Sequence, residues 1–225
     1  GNKEIIFDRT FDAQDTKEIR LYGFGGNDRF VVKGNNDKIK IRMIGGKGED
    51  NFENTATSAD GGIVYDDKSE NSKVSGSFNM KLKNDTISNY YNPIYYKYNQ
   101  VFPFLNVGYN PDDGVYLGGW MKITHHGFRK SPYKNSHTIA LLKALDSRAL
   151  NFKYTAEFIG VIGRRTDLLF ESDIKSPNVA NFFGYGASSV YDKSKPGKFK
   201  YYRTRYNLWD ISLMLRRNFS EKFFM

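Results

Sequence analysis

The sequence predicts an all-β protein: a short parallel β-solenoid-like repeat domain followed by antiparallel strands of an incomplete outer-membrane-type β-barrel. Three observations carry this expectation. A motif recurs every 22 residues near the N-terminus, and segments of strict apolar/polar alternation fill the second half. Composition favours strands and turns, with 16 Tyr, 18 Phe and 21 Gly against 6 Pro in 225 residues.

Charge and aromatics divide the chain. Residues 1–75 carry 12 Lys+Arg against 14 Asp+Glu, and residues 76–225 carry 22 against 11 together with 29 of the 36 aromatics. Such a shift marks a module boundary. The expected organisation is a β-repeat domain over 1–78, a linker over 79–98 and a barrel-like segment over 99–225. A basic, aromatic-rich module suits anionic headgroups or nucleic acid, and the strand pattern must decide between them. Cysteine is absent, which excludes disulfides, thiol nucleophiles and Cys-based zinc sites. No run of about 18 apolar residues exists, so a transmembrane helix is excluded while a transmembrane barrel is not. A first residue of Gly and a strand-like end at Phe223-Phe224-Met225 read as a piece of a longer protein.

In the repeat, Ile19-Arg20-Leu21-Tyr22-Gly23 matches Ile41-Arg42-Met43-Ile44-Gly45, and the third copy continues as Ile63-Val64-Tyr65. Asp28-Arg29-Phe30 matches Asp50-Asn51-Phe52, with Val74 in phase behind them. Each unit holds an alternating strand, a Gly-rich turn, a second short strand around Phe30 or Phe52, and a polar turn such as Gly34-Asn35-Asn36-Asp37. A 22-residue period suits one coil of a parallel solenoid in which equivalent Ile and Phe stack. An antiparallel meander of hairpins is the competing arrangement.

Gly45-Gly46-Lys47-Gly48-Glu49-Asp50-Asn51-Phe52-Glu53 fits the calcium-binding nonapeptide G-G-x-G-x-D-x-U-x at every fixed position, and Gly23 to Val31 fits it in part. Asp28 and Asp50 are therefore candidate calcium ligands. Calcium rolls place nonapeptides end to end, whereas these lie 22 residues apart, and the third unit has Asp66-Asp67 without the glycines. Turn chemistry, with Gly permitting positive φ and Asp capping the turn's amides, is the alternative.

In the second module Phe152, Tyr154, Ala156 and Phe158 share one face opposite Asn151, Lys153, Thr155 and Glu157. Leu168, Phe170, Ser172 and Ile174 oppose Asp167, Leu169, Glu171, Asp173 and Lys175. Tyr202, Thr204, Tyr206 and Leu208 oppose Tyr201, Arg203, Arg205 and Asn207, and Val115, Leu117, Gly119, Met121 and Ile123 form one side of 115–124. Strands of about ten residues, six or seven in number, joined by turns such as Asp146-Ser147-Arg148 and loops such as 192–198, fit a barrel with a lipid-facing exterior and a polar lumen. A soluble sandwich is the alternative.

Arg164, Arg165, Arg203 and Arg205, with Arg216-Arg217, form the strongest basic set. They are candidates for lipid phosphate or for pairing with lumenal Glu157, Glu171 and Asp173 rather than for nucleic acid. His125 and His126 are adjacent on a strand and point to opposite faces, so they do not chelate one metal. Asn110-Pro111-Asp112-Asp113-Gly114 reads as a hairpin turn. No nucleophile elbow, phosphate-binding loop or dinucleotide fingerprint occurs, so the expectation is a non-catalytic chain.

Val107-Gly108-Tyr109-Asn110-Pro111-Asp112-Asp113-Gly114, His126-Gly127-Phe128-Arg129-Lys130-Ser131-Pro132-Tyr133 and Asn181-Phe182-Phe183-Gly184-Tyr185-Gly186, with the Phe11 to Ile19 segment and both Gly-Gly turns, carry a resemblance. The chain resembles the C-terminal region of Bacteroidota envelope proteins, in which a calcineurin-like metallophosphoesterase precedes a BamA-like surface-antigen barrel. The resemblance implies a bacterial outer-membrane location with the repeat domain periplasmic, contact with outer-membrane lipid or lipopolysaccharide and other envelope proteins, and a role in membrane-protein insertion, translocation or anchoring of an upstream enzyme. The phosphoesterase motifs Asp-x-His and Gly-Asn-His-Asp/Glu are absent, so any hydrolase would lie outside this chain. Open strand edges allow self-association. A soluble two-domain β protein that binds carbohydrate or an envelope protein is the rival expectation.

Overall fold

A computed structural model describes residues 4–34, 38–56, 61–84, 90–187 and 189–219. Residues 35–37 of the expected polar turn, and the strand-like end at 223–225, lie outside them. The described chain is all-β apart from two short 3-10 turns, and it divides into two compact units, Gly1–Tyr95 and Tyr96–Met225.

The first unit is built from two parallel sheets. One contains β1 (Glu18–Tyr22), β3 (Lys40–Ile44), β5 (Ile63–Asp66) and β7 (Asn79–Leu82), and the other β2 (Arg29–Val32), β4 (Asn51–Asn54) and β6 (Lys73–Ser75). The 22-residue offset is the hydrogen-bond register itself: Ile19 pairs with Ile41, Phe30 with Phe52, and Phe52 with Val74. Equivalent side chains therefore stack. The Phe30 and Phe52 rings lie 5.1 Å apart and 6° from parallel, close to the spacing of adjacent strands. Met43, Phe52 and Val64, all fully buried, form the core with Phe30, Val32, Ile41, Phe78 and Met80 around them.

The third copy departs from the expected register. Ile63 pairs with Arg42, not with Ile41, and Val64 pairs with Met43. Side chains alternate along a strand, so this one-residue slip turns Val64 inward and leaves Ile63 half-buried. The slip also sets Tyr65 beside Ile44 and lets its hydroxyl accept a hydrogen bond from Arg42. The next turn is shorter still, since Ile63 pairs with Asn79, and β7 lies in a stretch expected to be linker. The break between units falls after Tyr95.

The second unit is one antiparallel sheet of six strands in chain order: β8 (Gln100–Asn110), β9 (Gly114–His125), β10 (Asn135–Ala144), β11 (Leu150–Ile162), β12 (Thr166–Asn181) and β13 (Arg203–Arg217). With up to 16 residues, the later strands exceed the expected ten. The sheet does not close among the described residues, and β8 and β13 are its edges. At one end those edges nevertheless approach: Arg203, opening β13, forms an ion pair with Asp112 in the turn after β8. Five inter-strand spacings would separate them by ~24 Å in a flat sheet, so the sheet curls.

The expected turns form, and they interlock. Asp113, buried, accepts hydrogen bonds from Tyr116 Oη and Ser147 Oγ, each at 3.0 Å, and so ties the β8–β9 turn to the β10–β11 turn. Gly114 has φ +80°, and a methyl there would strike the Asp146 carboxylate. A bulge between Lys175 and Asn178 of β12 corrects one expected face. Leu208 pairs with Lys175 on the polar side, so Thr204, Tyr206 and Leu208 are not an apolar row, and Arg203, Arg205 and Asn207 continue the row of Trp209, Ile211, Leu213 and Leu215.

The slipped register makes a prediction that the 22-residue repeat reverses. Val64→Asn places an amide in the core and destabilises the repeat unit by about 3 kcal/mol, whereas Ile63→Asn costs under about 1 kcal/mol, measured by denaturant unfolding of the intact protein. A larger loss for Ile63→Asn restores the uniform register.

Candidate functional site

Pairing in the six-stranded sheet sorts its side chains into two continuous faces. One face carries Val101, Leu105, Val107 and Tyr109 from β8, opposite Ile123, Gly119, Leu117 and Val115 of β9. Across β10 and β11 it continues through Ile139 beside Tyr154 and Leu141 beside Phe152, and at β12 and β13 through Leu168 beside Leu215, Phe170 beside Leu213 and Ile174 beside Trp209. These apolar groups are displayed: Leu105 is 94% exposed, Trp209 70% and Leu213 68%.

The opposite face is largely polar, with Ser136 and Asp167 buried and Lys122, Lys153, Asp210 and Arg216 exposed. One row runs Lys122, Thr138, Thr155, Glu171, Ser212 across five strands, and the next runs Trp120, Ala140, Lys153, Asp173, Asp210. Lys153 Nζ lies 2.9 Å from Glu171 Oε1, and Lys175 Nζ 3.4 Å from Asp173 Oδ2. Asp167, 1% exposed, accepts from the Gly160 amide at 2.9 Å, from Arg216 Nη2 at 2.8 Å and from Asn218 Nδ2 at 3.1 Å. Arg216 also pairs with Glu157, which accepts the Tyr133 hydroxyl. Lys122, Tyr133, Ser136, Thr138, Glu157 and Glu171 line a shallow hollow of about 290 Å³ on this face.

The four arginines expected to act together are separated. Arg203 and Arg205 begin β13, while Arg164 and Arg165 sit in the turn between β11 and β12. All 16 residues of β12 lie between those ends, some 50 Å of strand, so no single ligand contacts both pairs. Arg203 is engaged with Asp112, Arg216 of the same basic set pairs with Glu157 as expected, and Glu171 and Asp173 are paired by Lys153 and Lys175 rather than by arginines.

Pairing also joins residues the sequence left apart. Asn135 pairs with His125 and His137 with Ile123, so His125 and His137 share a face and their rings lie 6.1 Å apart. His125 Nδ1 is 2.7 Å from Asn135 Oδ1, and His137 Nδ1 is 2.9 Å from Tyr154 Oη. Only the hairpin register, set by the 126–134 loop, reveals this pair.

In the first unit the turns form a ladder across the repeats. Asp28 N donates to Asp50 Oδ1 at 2.9 Å, Gly48 N to Glu70 Oε1 at 3.0 Å, Glu49 N to Asn27 Oδ1 at 3.1 Å and Asp50 N to Ser72 Oγ at 3.1 Å, every pair 22 residues apart. The carboxylates thus cap amides of the neighbouring repeat, not of their own turn. Asp28 and Asp50, the candidate calcium ligands, are joined by the first of these bonds, and the slip brings in Asp66, whose Oδ1, like Asp50 Oδ2, borders the space where a Gly45 side chain would stand. Burial pushes the Asp50 carboxyl up; the Asp28 amide opposes this, and the charges of Asp66, Asp28 and Glu70 add to it. Asp66 is likewise raised by burial. Among the described residues no three or more acidic or imidazole groups are gathered to hold a metal ion.

On the outer side of β1 and β3, Arg20 Nε lies 2.6 Å from Glu18 Oε1, and Arg42 Nε lies 3.0 Å from Glu18 Oε2, in charge contact but off the line of a hydrogen bond. Burial pushes the Glu18 carboxyl up, but Arg20 and Arg42 outweigh it and hold it below the usual glutamate range.

Compared with protein-family models, curated proteins and solved structures, the chain finds no match in any of the three.

Two predictions follow the charges. Arg216→Met leaves Asp167 without its cation and destabilises the sheet by about 2 kcal/mol in urea unfolding, a figure reduced because Arg216 is partly solvated; adding Asp167→Asn recovers most of it. An additive double variant removes the coupling. For Glu18, the lowered pKa contributes stability above the unfolded carboxylate's ordinary value, and this is lost as pH falls through the lowered one. Glu18→Gln therefore costs about 1 kcal/mol at pH 7, and the gap to wild type closes on acidification. A gap that stays constant down to pH 3 refutes the assignment.

Proposed function

We propose that the six-stranded sheet is a membrane-inserted segment of an outer-membrane β-barrel and that the parallel repeat is a short β-solenoid on its periplasmic side. The observation that carries this reading is the inversion of the sheet. Its apolar face lies bare on the edge strands, where Leu105, Val107, Trp209 and Leu213 are exposed, while the opposite face buries Asp167 and holds ion pairs from Lys153 to Glu171 and from Arg216 to Asp167, an arrangement that a sheet in water does not favour. At ~3.3 Å per residue the row from Val101 to Tyr109 runs ~26 Å along the strand, and a tilt of about 40° leaves ~20 Å of height, close to the ~25 Å apolar band of such barrels.

Polarity bounds the row. On β13 it begins after Asn207 and ends before Arg217, so basic or polar groups stand at both limits, at headgroup depth. The longest connection within the sheet, 182–202, lies at the opposite end from the start of β8, which suits the usual pairing of long external loops with a periplasmic N-terminal module. In this setting the sheet is a non-catalytic scaffold that anchors a preceding domain or serves insertion or translocation of other envelope proteins. Its bilayer contacts are outer-membrane lipid and lipopolysaccharide. The open edges β8 and β13 take further strands of the parent barrel or a second copy.

The soluble alternative has one observation in its favour, the ring cluster of Phe183, Tyr191, Phe199 and Tyr202 beside exposed Tyr185 and Tyr201, which offers stacking surfaces of the kind sugars use.

Tryptophan quenching separates the two. Trp209 sits on the apolar face, and Trp120 is stacked on Phe104 on the other, with ring centroids 4.4 Å apart. In vesicles with brominated acyl chains, emission of the W120F protein, which reports Trp209, falls at least about twofold, while that of W209F changes little. Trp209 emission unaffected by brominated lipid overturns the membrane reading.

A further inference from the structure

The turn ladder of the first unit contains a defect that its hydrogen bonds do not repair. Asp50 and Asp66 are each 1% exposed, and Asp50 Oδ2 and Asp66 Oδ2 have no hydrogen-bond partner; Asp28 Oδ2 and Glu70 Oε2 are buried and unpartnered in the same way. No Lys or Arg side chain pairs with any of the four among the described residues. Removing an ionised carboxylate from water without a countercharge costs several kcal/mol, and here carboxylates face one another. Asp50 Oδ2 and Asp66 Oδ1 border the same space over Gly45, 2.1 and 2.8 Å from where a Cβ at that position would sit, and Asp66 Oδ1 also accepts from the Asp67 amide at 2.9 Å. A glycine there keeps the space for oxygen atoms.

We propose that Asp50 and Asp66 bind a calcium ion between adjacent repeats of the first unit, with Asp28 and Glu70 supplying negative charge around it. The chemistry selects a hard cation: every available donor is oxygen, no imidazole or thiol is near, and calcium tolerates an irregular shell completed by turn carbonyls and water. Two carboxylates border the space over Gly45, so the shell is not an all-carboxylate cage. This differs from the pairing that the nonapeptide predicts. There Asp28 and Asp50, 22 residues apart, would share an ion, but Asp28 presents its backbone amide to Asp50, and the slip of β5 substitutes Asp66. The site does not depend on the membrane reading of the second unit.

The alternative remedy is a proton shared between the two carboxyls, and the experiment distinguishes them. Calcium is titrated into the chelator-treated full-length protein at pH 7.5 with calorimetry and with thermal unfolding of the repeat unit. Saturable binding is expected with one ion per chain. At free calcium ten times the dissociation constant the folding equilibrium of the repeat shifts about tenfold toward the native state. Asp50→Asn and Asp66→Asn each abolish the shift while raising the calcium-free melting temperature, because each removes one of two opposed charges; Asp67→Asn, on the neighbouring residue, leaves the calcium shift intact. An unchanged melting temperature and no heat of binding at millimolar calcium overturn the proposal, and a calcium-free stabilisation of the Asn variants without any calcium response assigns the pair to a shared proton.

Discussion

Backbone hydrogen-bond register assigns every side chain of this protein to a face, because alternation along a strand leaves only two choices and a shift by one residue exchanges them. In the first unit parallel pairing at a 22-residue offset stacks Phe30 on Phe52 and Phe52 over Val74, and with Met43 and Val64 this stack forms the apolar core among the described residues. In the second unit antiparallel pairing carries one apolar face across all six strands. A slip elsewhere would carry charges to where the apolar groups now lie; the slip of β5 is accommodated because it buries Val64 in place of Ile63.

Much of this was legible in the sequence. The repeat at Ile19 and Ile41, the second short strands at Phe30 and Phe52, and the alternating faces of 115–124, 151–158 and 167–175 need only local pattern, and the backbone follows it. What the pattern missed depends on pairing between strands. Ile63 falls at the 22-residue place of Ile41, yet burying Val64 and setting Tyr65 against Arg42 favours the slipped alignment. The bulge in β12 has no signal in β13, so Arg203 and Arg205 read as a separate polar face until Leu208 is seen beside Lys175. His125 with His137, and Arg203 with Asp112, meet only because hairpin and sheet curvature bring them together.

Curvature follows from the interlocked turns as much as from strand twist. Asp113 fixes two neighbouring turns to each other, and Lys130 Nζ donates to the carbonyls of Ile159 at 2.9 Å and Gly160 at 2.7 Å, pinning the 126–134 loop to the end of β11. Arg216, Lys153 and their carboxylates pair on the polar face between those two ends. Among these groups Asp167 is buried, so leaving its charge unpaired would be costly.

The two units treat buried carboxylates in opposite ways, and the contrast locates what each lacks. On the inner face of the sheet Asp167 has an arginine, an asparagine and a backbone amide, so its charge is answered by its own chain. In the repeat turns Asp50 has one amide and no cation, with Asp66 beside it and Glu70 near. Repetition alone does not force this: Ser72 takes the place of Asp50 in the next turn, and Asp66 arrives beside Gly45 through the slip of β5. A stack of rings gains from repetition and a stack of like charges loses by it, so the unit needs a positive charge that its sequence does not place there.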